Sequence, residues 1–350
     1  MSYRIDKIHI LDDESRIVRF WAANFPGWQK EKYSWFYKKN PSGTTLGWLA
    51  NNDGEENLLG LVVVFPRIMY VNNERLRAGV VGDFAFAEKG RTFWPAFMLQ
   101  KNVLSSVKEG HLDFIYGLPN ENADQLMVRT GYIKIGQCIR FVKKIRSHGY
   151  LRNRLKNKSW ARILSYLVDA AIFLTAPETY KSLLNRKSIF ELGSSFDARF
   201  DCLWEKASGR YSLIGERNSA YLNWRFRECP YIEYKFFAGT DKKTNEMYGY
   251  IVYSILDGEL YIADFFVLDI DKYFDRLMTA FLNHGRTLNI NSVVFHFYGS
   301  GQINRKIMKY RFYVRKKYRN FVIYANKDTI EKYGLTDPEK WYFMESDNDI

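Results

Sequence analysis

The sequence predicts an α/β protein built from two copies of one unit in tandem. Three observations carry this reading. A Trp-to-Pro segment occurs twice, glycine and acidic landmarks follow it both times at nearly equal spacing, and each copy alternates strand-like apolar runs with amphipathic helical stretches.

The segment Trp35-Phe36-Tyr37-Lys38-Lys39-Asn40-Pro41 returns as Trp224-Arg225-Phe226-Arg227-Glu228-Cys229-Pro230. Pro41 to Gly60 is 19 residues, as is Pro230 to Gly249. Each glycine opens an apolar run, Gly60-Leu61-Val62-Val63-Val64 and Gly249-Tyr250-Ile251-Val252-Tyr253. An acid within an aromatic strand follows, Asp83 after 23 residues and Asp264 after 15, and a longer hairpin around the turn-forming pair Asn72-Asn73 explains the difference. From Asp83 to Asn120 is 37 residues and from Asp264 to Ser300 is 36; Asn120 to Tyr132 and Ser300 to Phe312 are both 12. Helical spacing covers Phe93 to Val107 and Tyr273 to Asn283, and the runs Asp113 to Tyr116 and Ser292 to Phe297 read as strands buried on both faces.

Between the copies the chain changes character. Arg140 to Lys158 holds eight Lys or Arg residues and no acid. Trp160, Ile163, Leu164, Leu167, Val168, Ala171 and Ile172 then share one helical face. That face either packs on a domain or lies on an anionic membrane. No window offers 18 uncharged apolar residues, since Arg162 and Asp169 interrupt the nearest one, so no membrane span is expected. The charged start MSYRIDKIHILDDESR argues against a secretory signal.

The formal net charge of +13 favours anionic partners without choosing among them. Cys138, Cys202 and Cys229 are too few and too scattered for a disulfide framework or zinc site, and His9, His111, His148, His284 and His296 show no ligand spacing, so no metal site is expected. Nucleophile elbows and Walker loops are likewise missing.

Asn120-Glu121-Asn122-Ala123-Asp124-Gln125-Leu126-Met127-Val128-Arg129-Thr130-Gly131-Tyr132 resembles the late motif of the GNAT N-acetyltransferase superfamily, in which an Asn opens a helix ending in Gly-aromatic. Glu88 to Ala96 stands where that family keeps its pyrophosphate loop; Arg91 and Ala96 match, and Trp94 replaces an expected glycine. Arg91 to Gln100, Tyr116 to Asn120 and the linker are similar to tandem GNAT-like proteins of bacterial surface-polysaccharide loci. The resemblance implies a tandem duplication of a GNAT-like mixed-sheet α/β unit. Residues 1–145 are domain one with the candidate acyl-CoA site, 146–195 a basic linker with an amphipathic helix, 196–335 a degenerate domain two that is structural or binds the acceptor, and 336–350 a tail.

It further implies a cytoplasmic N-acyltransferase using acetyl-CoA or another acyl-CoA, with an amine acceptor such as an amino sugar of a surface glycan. A helix start would hold the pyrophosphate, a splayed strand the pantetheine arm, and a strand N–H the developing oxyanion. Lys89, Gly90, Arg91, Thr92 and Phe93 are the candidate donor turn, and Asn120 is either a cofactor contact or a helix cap. Asp83 and Glu88 are candidate general bases, with an ion-paired strand carboxylate as the other reading of Asp83. Met127 and Ile307 occupy the position where many relatives carry a tyrosine acid. In copy two the equivalent turn has Asp269 and Asp271 and no glycine, which opposes pyrophosphate. Two other functions fit: a Fem-like transferase using aminoacyl-tRNA, to which the positive charge is suited, and a non-catalytic binding protein.

Overall fold

Every element expected from the repeat recurs in order. The computed structural model describes residues 3–25, 27–52, 58–88, 92–147, 158–315 and 319–349. Copy one runs β1 (Tyr3–Lys7), α1 (Glu14–Asn24), a π-helical turn (Tyr33–Lys38), β2 (Leu46–Asn52), β3 (Leu58–Val71), β4 (Glu74–Phe86), α2 (Phe93–Lys108), β5 (Phe114–Gly117), α3 (Glu121–Thr130), β6 (Ile133–Gln137) and β7 (Ile139–Lys144). After the linker helix α4 (Lys158–Leu174), copy two repeats the series. It has β8 (Ser188–Gly193), α5 (Ala198–Ala207), an added β9 (Leu213–Gly215), a second π-helical turn (Asn223–Arg227), β10 (Lys235–Asp241), β11 (Met247–Leu256), β12 (Glu259–Val267), α6 (Ile270–Thr287), β13 (Ser292–Gly299), α7 (Gly301–Lys309), β14 (Tyr313–Val314) and β15 (Asn320–Ala325). The chain closes with α8 (Lys327–Tyr333) and β16 (Trp341–Phe343).

The unequal hairpins have a simple basis. β3 and β4 have 14 and 13 residues against 10 and 9 in β11 and β12, so each arm is longer by four. Both hairpins turn on a pair with positive φ, Asn72-Asn73 at 48° and 69° and Asp257-Gly258 at 50° and 75°, the geometry whose twist suits a two-residue connection.

The copies are not separate sheets. All strands among the described residues join one sheet, and the last strand of each copy crosses into the other. β15 lies between β5 and β6 of copy one, antiparallel to both, while β7 lies between β13 and β14 of copy two. The crossing chains touch where they exchange: the Cys138 N–H donates to the Arg319 carbonyl at 3.2 Å, and the Arg315 N–H to the Arg140 carbonyl at 3.0 Å. Phe321 and Ile323 therefore bury in the core of lobe one, and Phe141 and Ile145 in that of lobe two.

The repeated tryptophans meet across this junction. Trp35 Nε1 donates to the Trp224 carbonyl at 2.6 Å and Trp224 Nε1 to the Trp35 carbonyl at 3.0 Å, with the rings 5.8 Å apart. Both lie in π-helical turns, Tyr33–Lys38 and Asn223–Arg227.

The last residues correct the expectation of a tail. β16 pairs with β13 and β9, and Trp341, Tyr342, Phe343 and Met344 are buried. Their four apolar side chains in a row account for the burial, since such a run is costly to leave in water. Cys138, Cys202 and Cys229 are free thiols. Among the described residues, no helix is long and apolar enough to cross a membrane.

Replacing Trp35 or Trp224 by Ala should each cost roughly 3–5 kcal/mol in urea unfolding. Because the rings touch and exchange hydrogen bonds, the double variant should cost less than the sum. Strict additivity would show that the two tryptophans do not support each other.

Candidate active site

In lobe one, β4 and β5 are parallel and paired from Ala78/Phe114 to Val80/Tyr116. β5 ends at Gly117, whereas β4 continues to Phe86. Among the described residues, β4 from Val81 onward has no strand partner on its β5 side. Its register with β3 slips here: Gly82 faces Val63, Ala85 faces Leu61, and the residues between them bulge with Asp83 at φ 45°. Bulges re-aim side chains, and this one turns Asp83 toward the first π-helical turn. Lys32 Nζ lies 2.7 Å from Asp83 Oδ1, and the Tyr37 hydroxyl donates to Oδ2 at 2.6 Å. The Lys32 and Asp83 side chains are only 5% and 8% exposed, so Asp83 belongs to a buried ion pair. Burial first, and then the adjacent Asp83 charge, pushes the Tyr37 phenol well above its ordinary range.

The C-terminal segment runs beside this bulge. A Cβ on Gly82 would fall 2.4 Å from Asp349 Oδ2, so any larger residue there would displace that carboxylate. Asp349 is half-buried, and its carboxyl is raised by desolvation and by Asp83, against the opposing pull of Lys32 and Arg319. Upstream, Asp347 joins Arg67 at 2.8 Å and Arg217 at 2.7 Å, and Arg217 also meets Asp264 at 3.0 Å. Tyr250 and Ser346 donate their hydroxyls to Asp264 at 2.9 and 2.8 Å. The Tyr116 hydroxyl donates to the Asp347 carbonyl at 2.6 Å. Two buried guanidinium groups thus balance two buried carboxylates at the centre of the molecule.

Lobe two has the same opening but bridges it. β12 and β13 pair in parallel from Glu259/Ser292 to Ile262/Phe295. Beyond that, β16 pairs with Tyr298 and Gly299, and the Tyr342 hydroxyl donates to the Phe265 carbonyl of β12. Gly299, at φ 149°, permits this, because a Cβ there would lie 1.8 Å from the Trp341 carbonyl oxygen. The start of α6 is served internally, with Asp269 accepting from the Asp271 and Lys272 N–H groups at 2.9 and 3.0 Å. The neighbouring cleft, about 310 Å³, carries Asp269, Asp271 and Glu339 against Arg210 and Lys340.

The remaining expected residues fall as follows. Glu88 is exposed just beyond β4, and Lys89, Gly90 and Arg91 lie outside the described residues. Thr92 begins α2 without capping it through its side chain, and Phe93 is exposed. Trp94 is exposed, with its ring stacked on Phe97 of its own helix. Asn120 caps α3, accepting from the Ala123 N–H at 2.9 Å. Met127 and Ile307 are both buried.

Sequence reasoning missed Lys32, Tyr37 and the acids of the last residues. The run Trp341 to Met344 was the one available signal for the latter, being too apolar for a solvated tail. It also missed an apolar cleft of about 450 Å³ lined by Tyr231, Tyr234, Tyr253 and Tyr261 with His296 and Glu345. His296 Nδ1 is 3.4 Å from Glu345 Oε2. Desolvation would raise the Glu345 carboxyl, yet His296, Arg225 and Arg319 together hold it below the usual range.

No family model and no curated protein matches the sequence. Solved structures do match the fold. A probable N-acyltransferase from Enterococcus faecalis V583 is 12% identical, with a TM-score of 0.67 over 95% of this chain and 75% of its own. A GCN5-related N-acetyltransferase from Anabaena variabilis is 13% identical, with a TM-score of 0.65 over 93% and 73%. A tandem GNAT protein from the clavulanic acid biosynthesis pathway is 10% identical, with a TM-score of 0.56 over 92% and 98%. The chain has the mixed α/β GNAT fold in tandem.

Asp347→Asn should cost about 3–5 kcal/mol at neutral pH, because it leaves Arg67 and Arg217 buried with too little negative charge. Burial would raise the Asp347 carboxyl, but Arg217 and Arg67 outweigh it and hold the folded value below the ordinary one. Its contribution is therefore complete above about pH 4 and lost as pH falls through the depressed folded value. Urea midpoints measured from pH 7 downward should converge for the two proteins in acid. A gap that stays constant would contradict this assignment.

Proposed function

We propose that this protein transfers an acyl group from acyl-CoA to an amine, with the donor held by lobe one. The observation that supports this most is the asymmetry of the two openings. Beyond Val80 the edge of β4 has no strand partner on its β5 side among the described residues, whereas in lobe two the chain's own β16 bridges the equivalent opening.

In this reading the pantetheine arm extends along β4 past Val81, and the donor turn Lys89 to Phe93 takes the pyrophosphate at the start of α2. A backbone N–H at the bulge polarises the thioester carbonyl. The amine nitrogen attacks that carbon, the C–S bond breaks, and the departing thiolate takes up the proton that the nitrogen sheds. The acceptor ammonium must first lose a proton. Asp83 and Asp349 form an unequal pair for that step: one is ion-paired with Lys32, and the other has its proton affinity raised. The tyrosine-lined cleft suits a ring-shaped acceptor, with the His296–Glu345 pair on its wall. An amino sugar of a surface glycan has that character. A second reading, a binding protein without turnover, is favoured by the buried Met127 at the position of the tyrosine acid.

Calorimetry with acetyl-CoA and longer acyl-CoAs should give one site per chain. Arg91→Glu should weaken binding about tenfold or more, through loss of a charge-assisted contact, and leave the unfolding midpoint unchanged. No binding at millimolar acetyl-CoA, with no recovery in Trp94→Gly, would favour the binding-protein reading.

A further inference from the structure

Helix α4 has an unusual orientation. An amphipathic helix on a protein surface normally turns its apolar face inward. Here Ser165, Val168, Asp169 and Ile172 face the protein body, and the one acid of the helix, Asp169, accepts from the Ser147 N–H at 2.6 Å. The apolar side chains Ile163, Leu164, Tyr166, Leu167, Phe173 and Leu174 point outward, between 41% exposed at Leu164 and 73% at Leu174. With Ala170 and Ala171 they cover about half the helix circumference, at roughly 100° per residue, without a charge.

The patch continues past the helix. Tyr313 and Val314 of β14 are exposed, and a groove of about 380 Å³ lined by Val168, Ala171, Ile172 and Tyr313 joins them to α4. A contiguous apolar surface of this kind calls for an occupant. Its rim is basic. Lys144, Arg311 and Arg315 are exposed on the adjoining strands and loops, and Arg311 is fixed to the end of the helix by donating to Thr175 Oγ1 at 2.7 Å. After β7, the sequence from Arg146 to Lys158 carries five cations and no acid. The nearby Glu178 is turned inward, fully buried against Lys143 and Arg286.

We infer that α4 lays this protein on an anionic lipid bilayer, its outward face among the acyl chains and its basic rim at the headgroups. The charge pattern selects this occupant. A second copy would bring the same basic rim and another +13 to the contact, whereas an acidic bilayer complements both the apolar face and the rim. Tyr166 and Tyr313 suit the boundary, having an apolar ring with a polar tip.

The test is flotation of the whole protein with vesicles of phosphatidylcholine alone and of phosphatidylcholine with phosphatidylglycerol. Binding should be roughly tenfold or more stronger with the anionic lipid and should fall as salt is raised. Leu167→Glu with Leu174→Glu should abolish flotation and leave the melting temperature unchanged, since both side chains face solvent. Equal flotation by the variant, or none by the native protein, would overturn the inference. So would sedimentation showing a native dimer that the same substitutions dissociate, because a second copy would then be the occupant.

Discussion

The structure depends on four buried charges. Arg67 comes from β3, Arg217 follows β9, Asp264 lies on β12 and Asp347 follows β16, so the cluster draws on both copies and on the end of the chain. Each charge alone would be prohibitive in a dry interior, and together they cancel. Such a cluster adds little net stability over apolar packing of the same volume. What it supplies here is position: the last residues have one place where Asp347 can meet both arginines, and that place is between the lobes.

Fixing the C-terminal segment there has different consequences on its two sides. Toward lobe two it seats β16 across the opening between β12 and β13, with Tyr342 bonded to β12. Toward lobe one it delivers Asp349 to the bulge at Gly82 and leaves the β5-side edge of β4 without a strand partner among the described residues. One duplicated unit therefore becomes two different lobes, one bridged by its own chain and the other equipped with a pair of carboxylates. The reciprocal exchange of β7 and β15 makes the lobes interdependent, since each lobe takes in a strand from the other.

The repeat could be read from the sequence because its landmarks mark backbone requirements that spacing preserves. Trp35 and Trp224, Gly60 and Gly249, and Asp83 and Asp264 all occupy corresponding elements. Spacing along the chain does not report partners in space. The strand exchange was invisible because β7 and β15 look alike whichever lobe they join. The candidate site was readable in part. Asp83 stood out as an acid among aromatics, but Lys32 pairs with it from 51 positions away and Asp349 reaches Gly82 from the far end of the chain. Asn120 stands at a helix start and caps α3 by accepting from the Ala123 N–H. Helix α4 was recognised by its period, but period cannot tell an inward face from an outward one. Asp169 bonded to Ser147 decides that question.

On the proposed function the two lobes differ in access, lobe one taking a nucleotide-linked thioester that lobe two excludes. Hydrogen exchange read by mass spectrometry, with and without saturating coenzyme A, distinguishes the two openings. The expected result is slower exchange in peptides from the end of β4 and the start of α2, with no change in those from β12, the start of α6 and β16. Protection of the second set, or of both sets equally, would show that ligand had entered the opening that β16 bridges.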